Sequence, residues 1–217
     1  MSNDSSVVTA QHFAYLAERT LGEDTFLGDL KAAARADGIP PIWVAPEQAS
    51  FLQILVKLTN AKNIVEVGTL AGTTAIHLAR AAGKGGRVRT IELSEKHADF
   101  ARDWVQKSDV ADRVEVLTGT GDEHLAAMED GTIDILLLDA DKSGYPGYLK
   151  HGMRILRTGG MLLADNAFAF GQLLDENPTD REVGAVRAFN DLVPTVDGLH
   201  AVIVPIGDGM WCGVKES

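Results

Sequence analysis

Two apolar runs of the sequence end in acidic residues, at points where buried strands would reach the surface. One run is followed by Asp139 and the next by Asp165 and Asn166. These side chains offer only oxygen atoms, the ligands that suit Mg²⁺, Mn²⁺ or Ca²⁺ rather than zinc or copper. A single aspartate there is more simply explained as a helix cap. Two on consecutive strands, one followed by Asn166 and the other by Lys142, favour a divalent-cation site, with Mg²⁺ first among the candidates.

Lys142 lies three residues after Asp139, close enough for a turn to bring its amine back toward that site. A lysine is ordinarily a surface cation. Burial beside a divalent cation favours the neutral amine, which can accept a proton. Lys142 is therefore a candidate catalytic base, on the condition that the fold buries it.

A second constellation surrounds a glycine turn at residues 64–74, which reads as a strand, a turn and the start of a helix. Gly68 and Gly72 are separated by three residues, so the turn lacks the G-x-G-x-x-G spacing of dinucleotide-binding proteins. Glu66 precedes the turn, where a carboxylate suits a cationic ammonium better than a diphosphate. Glu92 ends the next predicted strand, where it could accept both ribose hydroxyls. A nucleoside that carries an amino acid and no phosphate fits both acids, and S-adenosylmethionine is such a molecule.

Strands and helices alternate after Asn60, which is typical of a doubly wound, mostly parallel sheet with helices on both faces. The predicted strands are Asn63–Val67, Arg87–Ile91, Arg113–Leu117, Ile133–Leu138, Met161–Ala164, His200–Pro205 and Gly209–Val214. The predicted helices between them are Thr73–Ala82, Glu95–Ser108, Asp122–Met128, Tyr148–Leu156 and one that starts at Pro178. The turn at Gly207-Asp208-Gly209 predicts that the last two strands form an antiparallel hairpin.

We expect the first 60 residues to form a helical cap. At 217 residues the chain is of a size for one domain, so we assign the cap and the sheet, residues 1–217, to a single domain. Apolar positions at helical spacing cover Ala10–Leu21, Asp24–Ala36 and Pro46–Leu58.

The composition limits the classes of partner that the protein could bind and indicates its cellular compartment. The formal net charge is −11, so the surface disfavours nucleic acid. No apolar run approaches the roughly 20 residues of a membrane span. Met1–Thr9 lacks the features of a secretory signal, and the lone cysteine, Cys212, cannot form an internal disulfide. We therefore expect a cytoplasmic protein with no membrane partner.

In combination, these motifs resemble the cation-dependent O-methyltransferases, the group that contains catechol and caffeoyl-coenzyme A O-methyltransferases, and especially its bacterial members. The resemblance runs through nearly the whole chain, along four blocks: Pro46-Glu47-Gln48, Leu138-Asp139-Ala140-Asp141-Lys142, Ala164-Asp165-Asn166 and Pro205-Ile206-Gly207-Asp208-Gly209. It implies a Rossmann-like class I methyltransferase sheet with strand order 3-2-1-4-5-7-6. It also implies a homodimer and a small hydroxylated, catechol-like or phenylpropanoid-like acceptor.

The resemblance also implies roles for individual residues. The cofactor residues would be Val44, Glu66, Gly68, Thr74, Glu92, Gly121 and Asp139. The metal ligands would be Asp139, Asp165 and Asn166, and the base would be Lys142. Thr73-Thr74 replaces the usual Tyr-Ser pair, and Gly119-Thr120-Gly121 departs from the usual sequence of the adenine loop.

Three alternatives stay open at this point. They are methylation of a hydroxylated tRNA base by the same fold, a nicotinamide-dependent oxidoreductase, and a catalytically inactive scaffold. The missing G-x-G-x-x-G opposes the oxidoreductase, the net charge of −11 opposes the tRNA substrate, and the complete set of candidate residues opposes the scaffold.

Overall fold

The chain forms a seven-stranded sheet flanked by eight α-helices in a computed structural model that describes residues 9–20 and 22–217. Expectations that concern residues 1–8, and the predicted end of the first helix at Leu21, lie outside the described residues. The strands are β1 (Asn63–Val67), β2 (Arg87–Glu92), β3 (Val114–Thr118), β4 (Ile133–Leu138), β5 (Leu156–Asp165), β6 (Leu199–Val204) and β7 (Met210–Lys215). The helices are α1 (Ala10–Ala17), α2 (Thr25–Ala36), α3 (Pro46–Leu58), α4 (Thr73–Ala82), α5 (Glu95–Lys107), α6 (Gly121–Ala126), α7 (Tyr145–Ile155) and α8 (Val183–Leu192).

The sheet has the order β3-β2-β1-β4-β5-β7-β6. The first five strands run parallel, whereas β7 is antiparallel to both of its neighbours, β5 and β6. This arrangement confirms the predicted fold class, its strand order and the closing hairpin.

Apolar side chains alternate between the two faces of the sheet because successive side chains of a strand point to opposite sides. On β1, Ile64 packs with helices α2, α3, α4 and α5, whereas Val65 and Val67 pack with α6, α7 and α8. On β5, Leu163 packs on the same face of the sheet as Ile64, and Leu162 packs on the same face as Val65 and Val67. Central strands buried on both faces therefore have apolar residues at nearly every position, as the sequence of β4 predicted.

Three elements start three or more residues away from the predicted position. Helix α7 begins at Tyr145, three residues early, since Pro146 is well suited to a first helical turn. Strand β5 begins at Leu156, because Leu156 pairs with Ile133 before the register shifts.

The predicted helix start at Pro178 is wrong, and α8 begins only at Val183. The side chain of Gln172 accepts hydrogen bonds from the backbone amides of Thr179 and Asp180. Those contacts hold this segment as a turn that the local sequence does not reveal.

Candidate functional site

The strand order places four of the predicted residues in a row along one edge of the sheet. Gly68 follows β1, Glu92 ends β2, Asp139 follows β4 and Asp165 ends β5. Because these strands are parallel neighbours, their carboxyl ends meet at the same edge. The row runs Glu92, Gly68, Asp139, Asp165.

Two adjoining cavities open along this row. The first, which we call the β1–β2 cavity, has a volume of about 340 Å³. The second, the β4–β5 cavity, has a volume of about 520 Å³. Both are lined by the same five residues where they meet: Ile42, Trp43, Asp139, Ala140 and Asp141. Molecules bound in the two cavities would therefore be neighbours.

Most of the predicted site residues line these cavities. Five of the seven predicted cofactor residues line the β1–β2 cavity: Gly68, Thr74, Glu92, Gly121 and Asp139. The four predicted for the metal and the base line the β4–β5 cavity: Asp139, Lys142, Asp165 and Asn166. Val44 lines the β4–β5 cavity instead of the first one, and Glu66 lines neither.

Gly68 permits an unusually close approach between β1 and the end of β4. Its φ is +105°, and a Cβ atom at this position would lie 1.9 Å from the carbonyl oxygen of Asp139. The Gly68 amide donates to the carbonyl of Ile91 at 2.9 Å, and the Asp139 amide donates to Val67 at 2.8 Å. Only glycine fits between these strands, so the turn at the floor of the β1–β2 cavity depends on it.

The Glu92 carboxylate is held in place by two backbone amides. Its Oε2 accepts from the amide of Leu70 at 2.8 Å, and its Oε1 accepts from the amide of Ser94 at 2.9 Å. An ionised carboxylate has about four acceptor positions, so two remain for a ligand. Glu92 is thus an oriented acceptor on the wall of the β1–β2 cavity.

Glu66 is fully buried below that cavity. Thr90 Oγ1 donates to Glu66 Oε2 at 2.5 Å, and the Thr69 and Thr90 hydroxyls lie 2.6 Å apart. The pKa of Glu66 is raised to about 8, mainly by burial and also by the charges of Asp139 and Glu92, while the hydrogen bond from Thr90 lowers it. This acid therefore reaches the cavity through the threonine pair, of which Thr69 lines the cavity.

The loop at residues 119–121 has its own glycine requirement. A Cβ atom on Gly121 would come within 2.7 Å of the Tyr148 ring and 2.8 Å of a Val67 methyl group. The Thr120 hydroxyl accepts a hydrogen bond from the amide of Glu123 and so caps α6. The unusual sequence of this loop therefore still forms a helix start that borders the β1–β2 cavity.

Lys142 is 3% exposed, so the fold meets the condition on which its role as a base depends. Its Nζ donates to Tyr145 Oη at 2.7 Å and lies 3.6 Å from Asp139 Oδ1. Tyr145 Oη in turn donates to the carbonyl of Leu138 at 2.9 Å. The amine is thereby directed at the end of β4, beside Asp139.

Asp139 and Asp165 form an electrostatically unfavourable pair. Burial raises the pKa of Asp139, although Lys142 opposes that change. Burial together with the charge of Asp139 raises the pKa of Asp165 to about 7. A buried carboxylate on Asp165 and a partly buried one on Asp139, beside one lysine, leave negative charge uncompensated, which is costly away from water.

Asn166 is positioned by Asp208, a residue to which neither the predicted hairpin turn nor the family resemblance assigned a role. Asn166 has a φ of +64°, and its Nδ2 donates to Asp208 Oδ2 at 3.2 Å. The same carboxylate accepts from the amides of Phe170 at 2.7 Å and Gly171 at 3.1 Å. Asp208 thus holds the loop that follows β5 in a left-handed conformation beside the β4–β5 cavity.

Sequence reasoning missed several other cavity residues. Gln48 contacts Asp165, Tyr148 donates to Asp141 Oδ1 at 2.8 Å, and Glu182 lines the β4–β5 cavity. Gln48 and Glu182 come from segments that are far along the chain from the rest of the cavity, so no local pattern marks them, and the contact of Tyr148 with Asp141 spans a turn of seven residues. Among the described residues, no three His, Cys, Asp or Glu side chains form a metal-binding group. The predicted metal ligands, Asp139, Asp165 and Asn166, are two carboxylates and an amide.

Known proteins match the chain over nearly its whole length. The family model described as O-methyltransferase matches residues 17–216. The chain belongs to this O-methyltransferase family.

Individual relatives of this O-methyltransferase agree with that assignment. Catechol O-methyltransferase of Niastella koreensis is 36% identical over 89% of this chain and 86% of its own length. Catechol O-methyltransferase of Mycobacterium tuberculosis is 35% identical over 92% of this chain and 91% of its own. The crystal structure of the O-methyltransferase from Bacillus cereus in complex with SAH has a TM-score of 0.85 and 32% identity, and the match covers 94% of this chain and 96% of that one.

The protein is therefore an S-adenosylmethionine-dependent O-methyltransferase. In the part of the chain that the structure describes, no helix is both long and apolar enough to cross a membrane.

Proposed function

We propose that this enzyme methylates a hydroxyl oxygen of a small catechol-like or phenylpropanoid-like acceptor, with the help of a divalent cation in the β4–β5 cavity. The observation that carries the proposal is the junction of the two cavities at Asp139, Ala140 and Asp141. S-adenosylmethionine in the β1–β2 cavity would then face an acceptor in the β4–β5 cavity. Holding the two reactants in this way supplies proximity and orientation.

The cofactor's ribose would bind Glu92, whose free acceptor positions suit two hydroxyls. Its methionine part would lie over Gly68 and Thr74, where the missing Cβ of glycine lets a ligand approach the backbone. A cationic ammonium above Glu66 would favour the ionised form of that acid, which lacks a cationic partner among the described residues.

Replacing Glu92 by alanine should weaken S-adenosylmethionine binding by about 1.5–3 kcal/mol, because a buried ribose loses a charged acceptor. That loss corresponds to roughly a 10- to 150-fold higher Kd. Isothermal titration calorimetry measures it, and Glu95→Ala removes an exposed carboxylate three residues away as a control. Unchanged affinity in a folded Glu92→Ala protein would refute the ribose role.

The donor set of the β4–β5 cavity fits a hard divalent cation. Asp139, Asp165 and Asn166 would hold it through oxygen atoms, and its charge would offset that of the two neighbouring carboxylates. When bound, such a cation lowers the pKa of a hydroxyl that it contacts and helps to hold that hydroxyl in place.

Lys142 would act as the base. Its Nζ is held by Tyr145 beside Asp139, where it could take the proton of the acceptor hydroxyl. The oxygen would attack the methyl carbon as the carbon–sulfur bond breaks, and the bonding electrons would stay on sulfur. Burial of Lys142 supports this role because it excludes bulk water from the amine.

A catechol-like acceptor is supported by the names of the relatives that are 35% and 36% identical to this chain. The β4–β5 cavity is lined by five carboxylate residues: Asp139, Asp141, Asp165, Glu182 and Asp208. Such a lining favours neutral or cationic acceptors over anionic ones.

The direct test is transfer of a labelled methyl group from S-adenosylmethionine to a panel of catechols, caffeoyl esters and bulk tRNA. We expect label on the hydroxyl oxygen of the catechols. Label on tRNA alone would contradict the proposed acceptor class.

Removing divalent cations should abolish this activity, and Mg²⁺ or Mn²⁺ should restore it, because the candidate ligands are all oxygens. The measurement is turnover after exhaustive EDTA treatment and dialysis, with and without added cation. Calorimetry of S-adenosylmethionine binding to the same EDTA-treated protein provides the control for an intact fold. Full turnover without a cation would refute the metal requirement.

A further inference from the structure

Gln48 joins the first turn of α3 to the carboxylate of Asp165, a residue 117 positions away. Its Nε2 donates to Asp165 Oδ1 at 2.8 Å, and its Oε1 accepts from the amide of Ala45 at 3.1 Å. The side chain is 4% exposed, so both contacts are largely protected from competition with water.

These two contacts determine which way the amide points. Turning the amide over would place Nε2 against the Ala45 amide and Oε1 against the Asp165 carboxylate, which are donor–donor and acceptor–acceptor contacts. Gly207 also restricts the amide, since a Cβ atom on that glycine would lie 2.1 Å from Gln48 Cδ. The amide is therefore held from three directions.

A neutral amide has a particular advantage beside a carboxylate that binds a cation. It occupies one oxygen of Asp165 and orients the group, yet it adds no positive charge that would compete with the cation. Groups that orient metal ligands commonly change metal affinity by about 10- to 100-fold.

We propose that Gln48 is a positioning residue that orients Asp165 for the divalent cation and fixes the neighbouring wall of the β4–β5 cavity. The proposal rests on the cation site proposed above. Through Ala45, the same side chain anchors the segment that carries Trp43 and Val44, both of which line that cavity.

The test is Mn²⁺ binding to the full-length protein, measured by electron paramagnetic resonance without an acceptor. In Gln48→Met, which keeps the length of the side chain and removes both polar contacts, we expect a Kd for Mn²⁺ about 10- to 100-fold higher. The Kd for S-adenosylmethionine should change by less than about twofold, since Gln48 does not line the β1–β2 cavity. A merely structural role would instead weaken both ligands or lower the Tm without a selective loss of Mn²⁺.

Gln53→Met is the matched control, because Gln53 lies on the same helix and, within the described part of the chain, its side chain hydrogen-bonds the carbonyl of Ala49 and the His77 ring rather than Asp165. It should leave the affinity for Mn²⁺ unchanged. Gly207→Ala gives a second, independent variant, which should displace the Gln48 amide from the opposite side and weaken Mn²⁺ binding in the same selective way.

The outcomes separate the two proposals. If the wild-type protein binds no Mn²⁺, the proposed cation site fails and the role of Gln48 fails with it. If the wild type binds Mn²⁺ and both Gln48→Met and Gly207→Ala bind it equally well, the cation site stands and the role of Gln48 is refuted.

Discussion

Replacing Lys142 by alanine should reduce turnover by about 10²- to 10⁴-fold, the range typical of a general base. The side chain is buried, its Nζ lies 3.6 Å from Asp139 Oδ1, and Tyr145 holds it there. Steady-state methyl transfer measures the effect. Binding of S-adenosylmethionine and of Mn²⁺ should survive, because Lys142 is assigned to neither.

A second substitution tests whether turnover needs proton transfer to Lys142 or only its positive charge, and a third serves as a control. Lys142→Arg should not restore the rate, since a guanidinium stays protonated and cannot accept the proton. Lys150→Ala removes an exposed lysine of α7 and should leave turnover unchanged. If arginine recovers most of the wild-type rate, Lys142 is an electrostatic anchor and the assignment as a base is wrong.

Replacing Gly68 by alanine should damage both the fold and the cofactor site. The added Cβ would lie 1.9 Å from the Asp139 carbonyl oxygen, so β1 and the end of β4 must move apart. Left-handed strain of about 1–2 kcal/mol adds to an overpacking cost of about 1–3 kcal/mol, so the free energy of unfolding should fall by about 2–5 kcal/mol. Displacement of the turn should also weaken S-adenosylmethionine binding, and misplacing the cofactor by about 1 Å should lower turnover by on the order of 100-fold.

The chain offers a control that separates strain from steric overlap. Gly85 also has a positive φ, +80°, but a Cβ atom added there would have no neighbouring atom within 4 Å. Gly85→Ala should therefore cost only the strain of about 1–2 kcal/mol and leave cofactor affinity unchanged. Denaturant unfolding and calorimetry measure the two effects, and wild-type cofactor affinity in Gly68→Ala would contradict the close-approach argument.

The sequence by itself determined the fold class, because the relevant signals are local. Short apolar runs predict strands, helical spacing predicts the intervening helices, and alternation of the two predicts a parallel sheet. Parallel strands bring their carboxyl ends together, so the order of the motifs along the chain already places Glu92, Gly68, Asp139 and Asp165 on one edge. The reaction class followed from the residue types at that edge together with the family resemblance.

Only the tertiary structure decided which residues surround the reactive groups and how they are oriented. Gln48 reaches Asp165 across 117 positions, and Asp208 reaches Asn166 across 42. The burial of Lys142 and the position of Glu66 below the cavity also depend on how helices cover the sheet. A side chain's local sequence limits its backbone conformation, whereas its hydrogen-bond partners and its exclusion from water are set by segments that are distant along the chain and meet only when it folds.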